Sequence, residues 1–304
     1  MKNTVIIIIG AAALLFLLII LRSYYEIHHF RIKRYAINAD AIKKQTTFAF
    51  ITDLHNCSYG SDNEKIIAAL KKEKPDFLII GGDLIVGKRN IGQCLPEKYF
   101  NNAVSLLKGI SGEFPILYTY GNHETRIKNR KETNPLYNEY IRQIKELLKE
   151  QKIILLNDEI WEYNNIIVAG LEVDDKAYDD NESFDNEKLR RLMSLVSRKA
   201  ESDKNSFRIL VSHSPDFFEQ YAEENIDLVL SGHNHGGTVR IPFFGGVISR
   251  KYKLFPKYSY GIYKKNGTKM LLTGGLGDHT IHFRLFNIPE IVIITLKNSQ
   301  KPLI

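Results

Sequence analysis

Residues 48–55 read FAFITDLH, a run fit for a strand buried on both faces that ends abruptly in a carboxylate and an imidazole two positions apart. The pattern returns four times. The run 77–80 stops at Gly81-Gly82-Asp83, 116–120 at Gly121-Asn122-His123-Glu124, 209–212 at His213, and 228–231 at Gly232-His233-Asn234-His235. Short apolar runs bounded by glycine or polar turns read as buried strands. Between them the sequence predicts helices over 63–72, 96–108, 135–149, 187–199 and 215–224, three of which open on a proline, a residue whose missing N–H costs nothing in a first helical turn. Strands alternating with helices predict a layered α/β fold, whose sites gather where strands end.

Five of the nine histidines (His55, His123, His213, His233 and His235) fall in these five strand-end clusters. In Asp53-x-His55 and His233-x-His235 the paired side chains project to one side of an extended segment, so one cation can be gripped by both. Asp83 supplies two oxygens and can bridge two cations, whereas an imidazole or the Asn122 carbonyl gives one ligand without adding charge. Asp53, His55, Asp83, Asn122, His213, His233 and His235 make seven ligands, and eight bonds if Asp83 bridges: four for each of two cations. A cation pair about 3.5–4 Å apart suits in-line hydrolysis of phosphate esters. With only two cysteines, Cys57 and Cys94, no thiolate zinc site can be assembled. Cys57 reads as an ordinary thiol, and His279 and His282 as polar residues of a loop after Gly274-Gly275-Leu276-Gly277.

The ordered set Asp-x-His, Gly-Asp, Gly-Asn-His-Glu, a lone His and Gly-His-x-His resembles the calcineurin-like metallophosphoesterase superfamily over about 31–297. The resemblance implies a four-layer αββα sandwich of two mixed β-sheets flanked by helices, in one domain over 31–304. It implies that Asp53, His55, Asp83 and His235 hold one cation and Asp83, Asn122, His213 and His233 the other, with Mn²⁺ the first choice and Fe or Zn²⁺ acceptable to the same donors. His123 is then not a ligand but stands beside the leaving-group oxygen, stabilising or protonating it while a metal-bound hydroxide attacks. Protein phosphatases of the superfamily continue the second block as Gly-Asp-x-Val-Asp-Arg-Gly; here it runs Gly82-Asp83-Leu84-Ile85-Val86-Gly87, which argues against that class. The glycines after His235 and the stretch from Gly274 through Arg284 to Glu290 are instead similar to bacterial membrane-anchored phosphodiesterases related to UDP-2,3-diacylglucosamine pyrophosphatases.

Residues 5–21, VIIIIGAAALLFLLIIL, are free of polar side chains and as a helix cover roughly 25 Å, enough to cross a bilayer. No small-x-small pattern follows, so residues 1–30 read as an uncleaved anchor and stem rather than a signal peptide. Arg22, Arg31, Lys33 and Arg34 nominally favour a cytoplasmic catalytic domain. Short N-terminal anchors often insert the other way, and the extracytoplasmic side of the cell membrane is the expected location. Residues 1–30 carry one unit of the net charge of +7 (Lys2, Arg22 and Glu26), leaving +6 on the rest. That excess suits an anionic substrate, and its scatter argues against a nucleic-acid stripe. The stretch 241–263, IPFFGGVISRKYKLFPKYSYGIY, is aromatic and basic together; it reads as an ordinary hairpin or as a surface against lipid headgroups. The expected function is hydrolysis of a phosphodiester or pyrophosphate bond, in a lipid-linked or cell-envelope substrate, with no protein partner predicted. The alternatives are a nucleotide or nucleic-acid phosphodiesterase and a non-catalytic membrane scaffold.

Overall fold

A computed structural model describes residues 2–87, 100–129, 135–150, 153–179, 181–201, 205–241, 245–247, 254–278 and 282–299. The chain begins with α1 (Lys2–His28), then β1 (Arg31–Asn38), β2 (Thr46–Ile51), α2 (Glu64–Glu73), β3 (Phe77–Ile80), α3 (Asn101–Ile110), β4 (Ile116–Tyr118), α4 (Asn122–Asn129), α5 (Pro135–Lys149) and β5 (Ile153–Leu155). It continues through β6 (Glu159–Tyr163), β7 (Ile166–Leu171), α6 (Asn186–Glu201), β8 (Phe207–Ser212), α7 (Phe218–Tyr221), β9 (Leu228–Ser231), β10 (Arg240–Ile241), β11 (Gly245–Gly246), β12 (Gly261–Lys265), β13 (Thr268–Leu272) and β14 (Glu290–Lys297).

Two six-stranded sheets form, one in the order β1-β14-β2-β3-β4-β5 and the other β12-β13-β9-β8-β7-β6. Both are mixed. In the first, β2, β3, β4 and β5 run parallel while β14 is antiparallel to β2; in the second, β7, β8, β9 and β13 run parallel while β6 and β12 are antiparallel edges.

The apolar side chains alternate along each strand and so divide into three layers of core. Ala49, Ile51, Leu78 and Ile80 face away from the second sheet and pack with Ile66 and Leu70 of α2, Leu106 and Ile110 of α3 and Ile144 of α5. Their neighbours Phe48, Phe50, Phe77 and Ile79 meet Val168, Ile209, Val211, Leu228 and Leu230 between the sheets. On the far side, Ala169, Leu210, Val229 and Met270 pack with Leu189, Leu192, Met193 and Val196 of α6 and with Phe218 and Tyr221 of α7. Buried strands are therefore apolar on both faces, and the expected four-layer αββα sandwich is the observed fold.

The expected helix over 215–224 is helical only at Phe218–Tyr221, because its flanks close with i→i+3 bonds (Phe218 N to Pro215 O, Glu224 N to Tyr221 O) rather than full α turns. Residues 96–99 of another expected helix, Cys94 and His279 lie outside the described residues. Part of the 241–263 stretch does form the expected hairpin, since β10 and β11 pair antiparallel. The apolar run of α1 is not buried against the rest of the protein, so it is not a core helix; by length and composition it can cross a membrane.

Candidate metal centre

The parallel strands β2, β3 and β4 of one sheet and β8 and β9 of the other bring their C-terminal ends together, and all eight residues singled out from the sequence lie there, buried: Asp53, His55, Asp83, Asn122, His123, His213, His233 and His235. The loops that carry them are tied to one another. Asp53 N donates to Gly82 O at 3.0 Å and His55 N to Asp83 O at 3.0 Å, while His233 N reaches the Asp53 carboxylate at 3.1 Å.

Turning side chains inward so soon after a strand requires unusual backbone. Asp53, His55, Asp83, His233 and His235 all have left-handed φ, between +46° and +72°. For a residue with a Cβ that region costs on the order of 1–2 kcal/mol, strain that persists where the surroundings over-determine it and that clusters at functional sites. Two glycines make the crossing possible. A Cβ on Gly82 (φ +96°) would collide with the backbone of Gly121, and one on Gly232 with the Asp53 carboxylate.

Hydrogen bonds at Nδ1 fix which ring nitrogen of His213, His235 and His123 faces the centre. His213 Nδ1 donates to Gly81 O at 2.7 Å and His235 Nδ1 to Gly277 O at 3.0 Å, so in the neutral ring each Nε2 presents a lone pair to the cluster. His123 is reversed. Its Nδ1 accepts from Gly87 N at 2.7 Å, and in the neutral ring the proton must sit on Nε2, 3.9 Å from Asp83 Oδ2. His55 Nε2 and His235 Nε2 face one another at 3.0 Å, with Asp53 Oδ1 3.9 Å and 3.5 Å away respectively.

The carboxylates differ. Burial and the neighbouring Asp83 raise Asp53 to about 6 against the opposing pull of His213. Burial alone would raise Asp83 too, but His213, His123 and His55 override it and hold Asp83 well below the ordinary carboxylate range. Burial would lower His213, yet the facing Asp83 and Asp53 outweigh it and raise the imidazole to about 9, with its Nε2 3.0 Å from Asp83 Oδ2.

Donor atoms of Asp53, His55 and His235 lie within 4.8 Å of one another, as do those of Asp83, His213 and His233, and those of His55, Asp83 and His123. The first two groups fit a divalent cation, combining one carboxylate with imidazoles and no thiol. In the third, the proton on His123 Nε2 faces the common space, so that ring suits donation better than ligation. Cys57 is a free thiol that burial pushes up to about 11, and exposed His282 lies 3.6 Å from Asp278.

Several residues here carried no assignment in the sequence. Glu124 is buried and accepts from Asp83 N (2.9 Å), Leu84 N (2.8 Å), Gly121 N (3.0 Å) and Tyr118 Oη (2.9 Å), joining the β3 and β4 loops. Burial and Asp83 push it up to about 7 against those donors. Its signal was its place in Gly-Asn-His-Glu, within the first turn of α4. Arg284, also buried, donates to Gly274 O and Gly277 O, and Asn287 Nδ2 donates to His235 O at 2.6 Å. These two support the His235 side; both lie in the stretch from Gly274 to Glu290 that carries the resemblance to membrane-anchored phosphodiesterases, which gave neither of them a role.

Residues 46–237 match the calcineurin-like phosphoesterase family. The chain is 26% identical over 254 residues to the uncharacterised metallophosphoesterase YkuE of Bacillus subtilis, covering 82% of this chain and 78% of that protein. It is 25% identical over 225 residues to the phosphodiesterase YaeI of Escherichia coli, covering 73% and 71%. Among solved structures, a dimetal phosphatase from Danio rerio aligns with a TM-score of 0.47 at 12% identity, over 82% of this chain and 98% of that one. The family match takes in every strand-end cluster up to Gly237, and this chain belongs to the calcineurin-like phosphoesterases, metal-dependent hydrolases of phosphoric esters.

Proposed function

We propose that the chain is a membrane-anchored, dinuclear-metal phosphodiesterase or pyrophosphatase acting on a lipid-linked or cell-envelope substrate. One cation is held by Asp53, His55, Asp83 and His235, the other by Asp83, Asn122, His213 and His233, with Mn²⁺ preferred. The observation that carries this reading is the opposition of tautomers: as neutral rings, His213 and His235 turn lone pairs toward Asp53 and Asp83, while His123 turns a proton toward the same space. Bound there, a pair of divalent cations would offset charge on the phosphoryl oxygens and acidify the attacking water.

The chain's own residues do the rest. Asp83, held ionised among three imidazoles, is the donor best placed to be shared, since His55, His123 and His213 all lie within 3.9 Å of its Oδ2. The Gly87 N–H locks the His123 ring, so that Nε2 can pass its proton to the departing oxygen and recover it later. The exposed apolar run of α1 supports a membrane anchor in one span; we take residues 31–304 as the catalytic domain, on the extracytoplasmic side. The phosphodiesterase name of the Escherichia coli relative supports a diester over a monoester.

The test uses the full-length protein in detergent with Mn²⁺. Hydrolysis of bis-p-nitrophenyl phosphate is expected, followed in a substrate panel by preference for lipid-linked or teichoic-type diesters over nucleotides. Two bound equivalents of Mn²⁺ with no hydrolysis, beside a working control enzyme, would mean a scaffold. Turnover of nucleotides with lipid diesters ignored would remove the lipid half of the proposal.

A further inference from the structure

Glu26 sits one turn past the apolar run of α1, where a stem residue should be solvated, yet it is wholly buried. Its carboxylate accepts from Arg22 Nε at 2.6 Å and from Asn287 N at 2.8 Å, while Ser23 Oγ accepts from Arg284 N at 3.2 Å. The last turn of α1 is thus bonded to the segment 284–287, the same segment that supports His235. The Arg22 guanidinium lies 5.9 Å from the ring of Phe286.

From there a short backbone ladder runs outward. Arg240 N donates to Leu285 O, Val247 N to Val239 O and Phe255 N to Val247 O. Along it and the end of α1 stand Tyr24, Tyr25, Ile241, Leu254, Phe255 and Phe286, each 41–67% exposed. Among the described residues, every exposed large apolar side chain outside the apolar run of α1 belongs to this surface, Ile262 excepted. A soluble surface scatters such side chains singly; their collection around the end of an apolar helix, with tyrosines and arginine at its boundary, is the pattern of a membrane interface.

We propose that Ile241, Leu254, Phe255 and Phe286 form a rim that rests in the bilayer interface around the end of α1, holding the metal centre at headgroup level so that it takes phosphoesters presented by the membrane surface. The inference rests on the reading of α1 as a retained span. Its occupant is the bilayer itself, argued from continuity: the hydrogen bonds of Ser23 and Glu26 fix the rim beside the point where the apolar run ends at Leu21. A rim so fixed cannot swing away from the surface without breaking the Glu26 and Ser23 bonds.

The test places a reporter on the rim of the full chain, reconstituted in mixed phosphatidylcholine and phosphatidylglycerol nanodiscs with acyl-brominated lipid. Phe286→Trp, Leu254→Trp and Phe255→Trp are compared with Ser197→Trp on the exposed face of α6, each corrected for the parent, whose one tryptophan is Trp161. Bromine quenching several-fold stronger at the rim positions than at Ser197→Trp is expected. Rim positions no more quenched than Ser197→Trp, in protein that stays with the discs, overturn the rim and leave the anchor standing. Loss of the chain from membranes on alkaline extraction, or a mature N-terminus beyond residue 28 by mass spectrometry, overturns both.

Discussion

At the end of the first sheet the chain delivers two carboxylates, Asp53 and Asp83, with Asn122 beside them; at the end of the second it delivers three imidazoles, His213, His233 and His235. Each side is incomplete alone. Two buried carboxylates so close would resist ionising together, and Asp53 shows this, raised to about 6 by burial and by Asp83. Asp83 escapes the same fate because His213 reaches it from the opposite sheet at 3.0 Å. The difference teaches that the largest part of the compensation comes from the opposite layer of the sandwich, with His123 and His55 of the first sheet's own end adding to it. Packing the two sheets is therefore what assembles the site.

Removing Asp83, the carboxylate proposed to be shared, breaks the comparison most severely. With Asp83→Ala the imidazoles lose the anion they converge on, and phosphodiester hydrolysis is expected to fall below detection with most metal lost, as measured by metal analysis of purified protein. Normal turnover in that variant would falsify the dinuclear arrangement.

His123→Ala asks whether the reversed tautomer marks a separate role. Its ring belongs to the carboxylate side but is turned so that a proton, not a lone pair, faces Asp83. The variant should keep both cations and lose roughly 10²–10⁴ in kcat, the usual worth of one general acid or base. Metal loss in this variant would reassign His123 as a ligand.

Glu124→Gln leaves the shape of the first sheet's end but turns one carboxylate oxygen into an amide that cannot accept from the facing N–H groups. Metal affinity should drop roughly 10- to 100-fold, as for other partners that orient ligands, with rescue by excess Mn²⁺. Unchanged affinity by calorimetry would show that the β3 and β4 loops hold their geometry without it.

The carboxylate and imidazole ends were legible in the sequence because chelation leaves local marks. Asp53-x-His55 sets two donors of one group two residues apart, His233-x-His235 gives one donor to each of two groups, and Gly82 and Gly232 must lack a Cβ where loops cross. The strands were legible because burial on both faces removes polar residues from 77–80 and 228–230. What escaped was set by distance. Glu26 meets Asn287, and Ser23 meets Arg284, across 261 residues, and no periodicity within either segment encodes the partner. The pairing of β1 with β14 escaped for the same reason.

The gentlest probe of the two ends is pH. In the metal-free protein the facing carboxylates hold His213 protonated up to about 9, yet a ligand must present a lone pair. Cation binding at neutral pH therefore expels that proton, and protons compete with the metal until the pH passes about 9. Apparent affinity should rise by about tenfold per pH unit between 6 and 9, the limit for one proton released. Below about 6, Asp53 is protonated as well, and the dependence should steepen toward two protons. Calorimetry in buffers of different ionisation heat counts the protons directly. Release of none at pH 7 would mean that the second sheet's imidazole is already neutral there, and that the carboxylate end does not depend on it for charge.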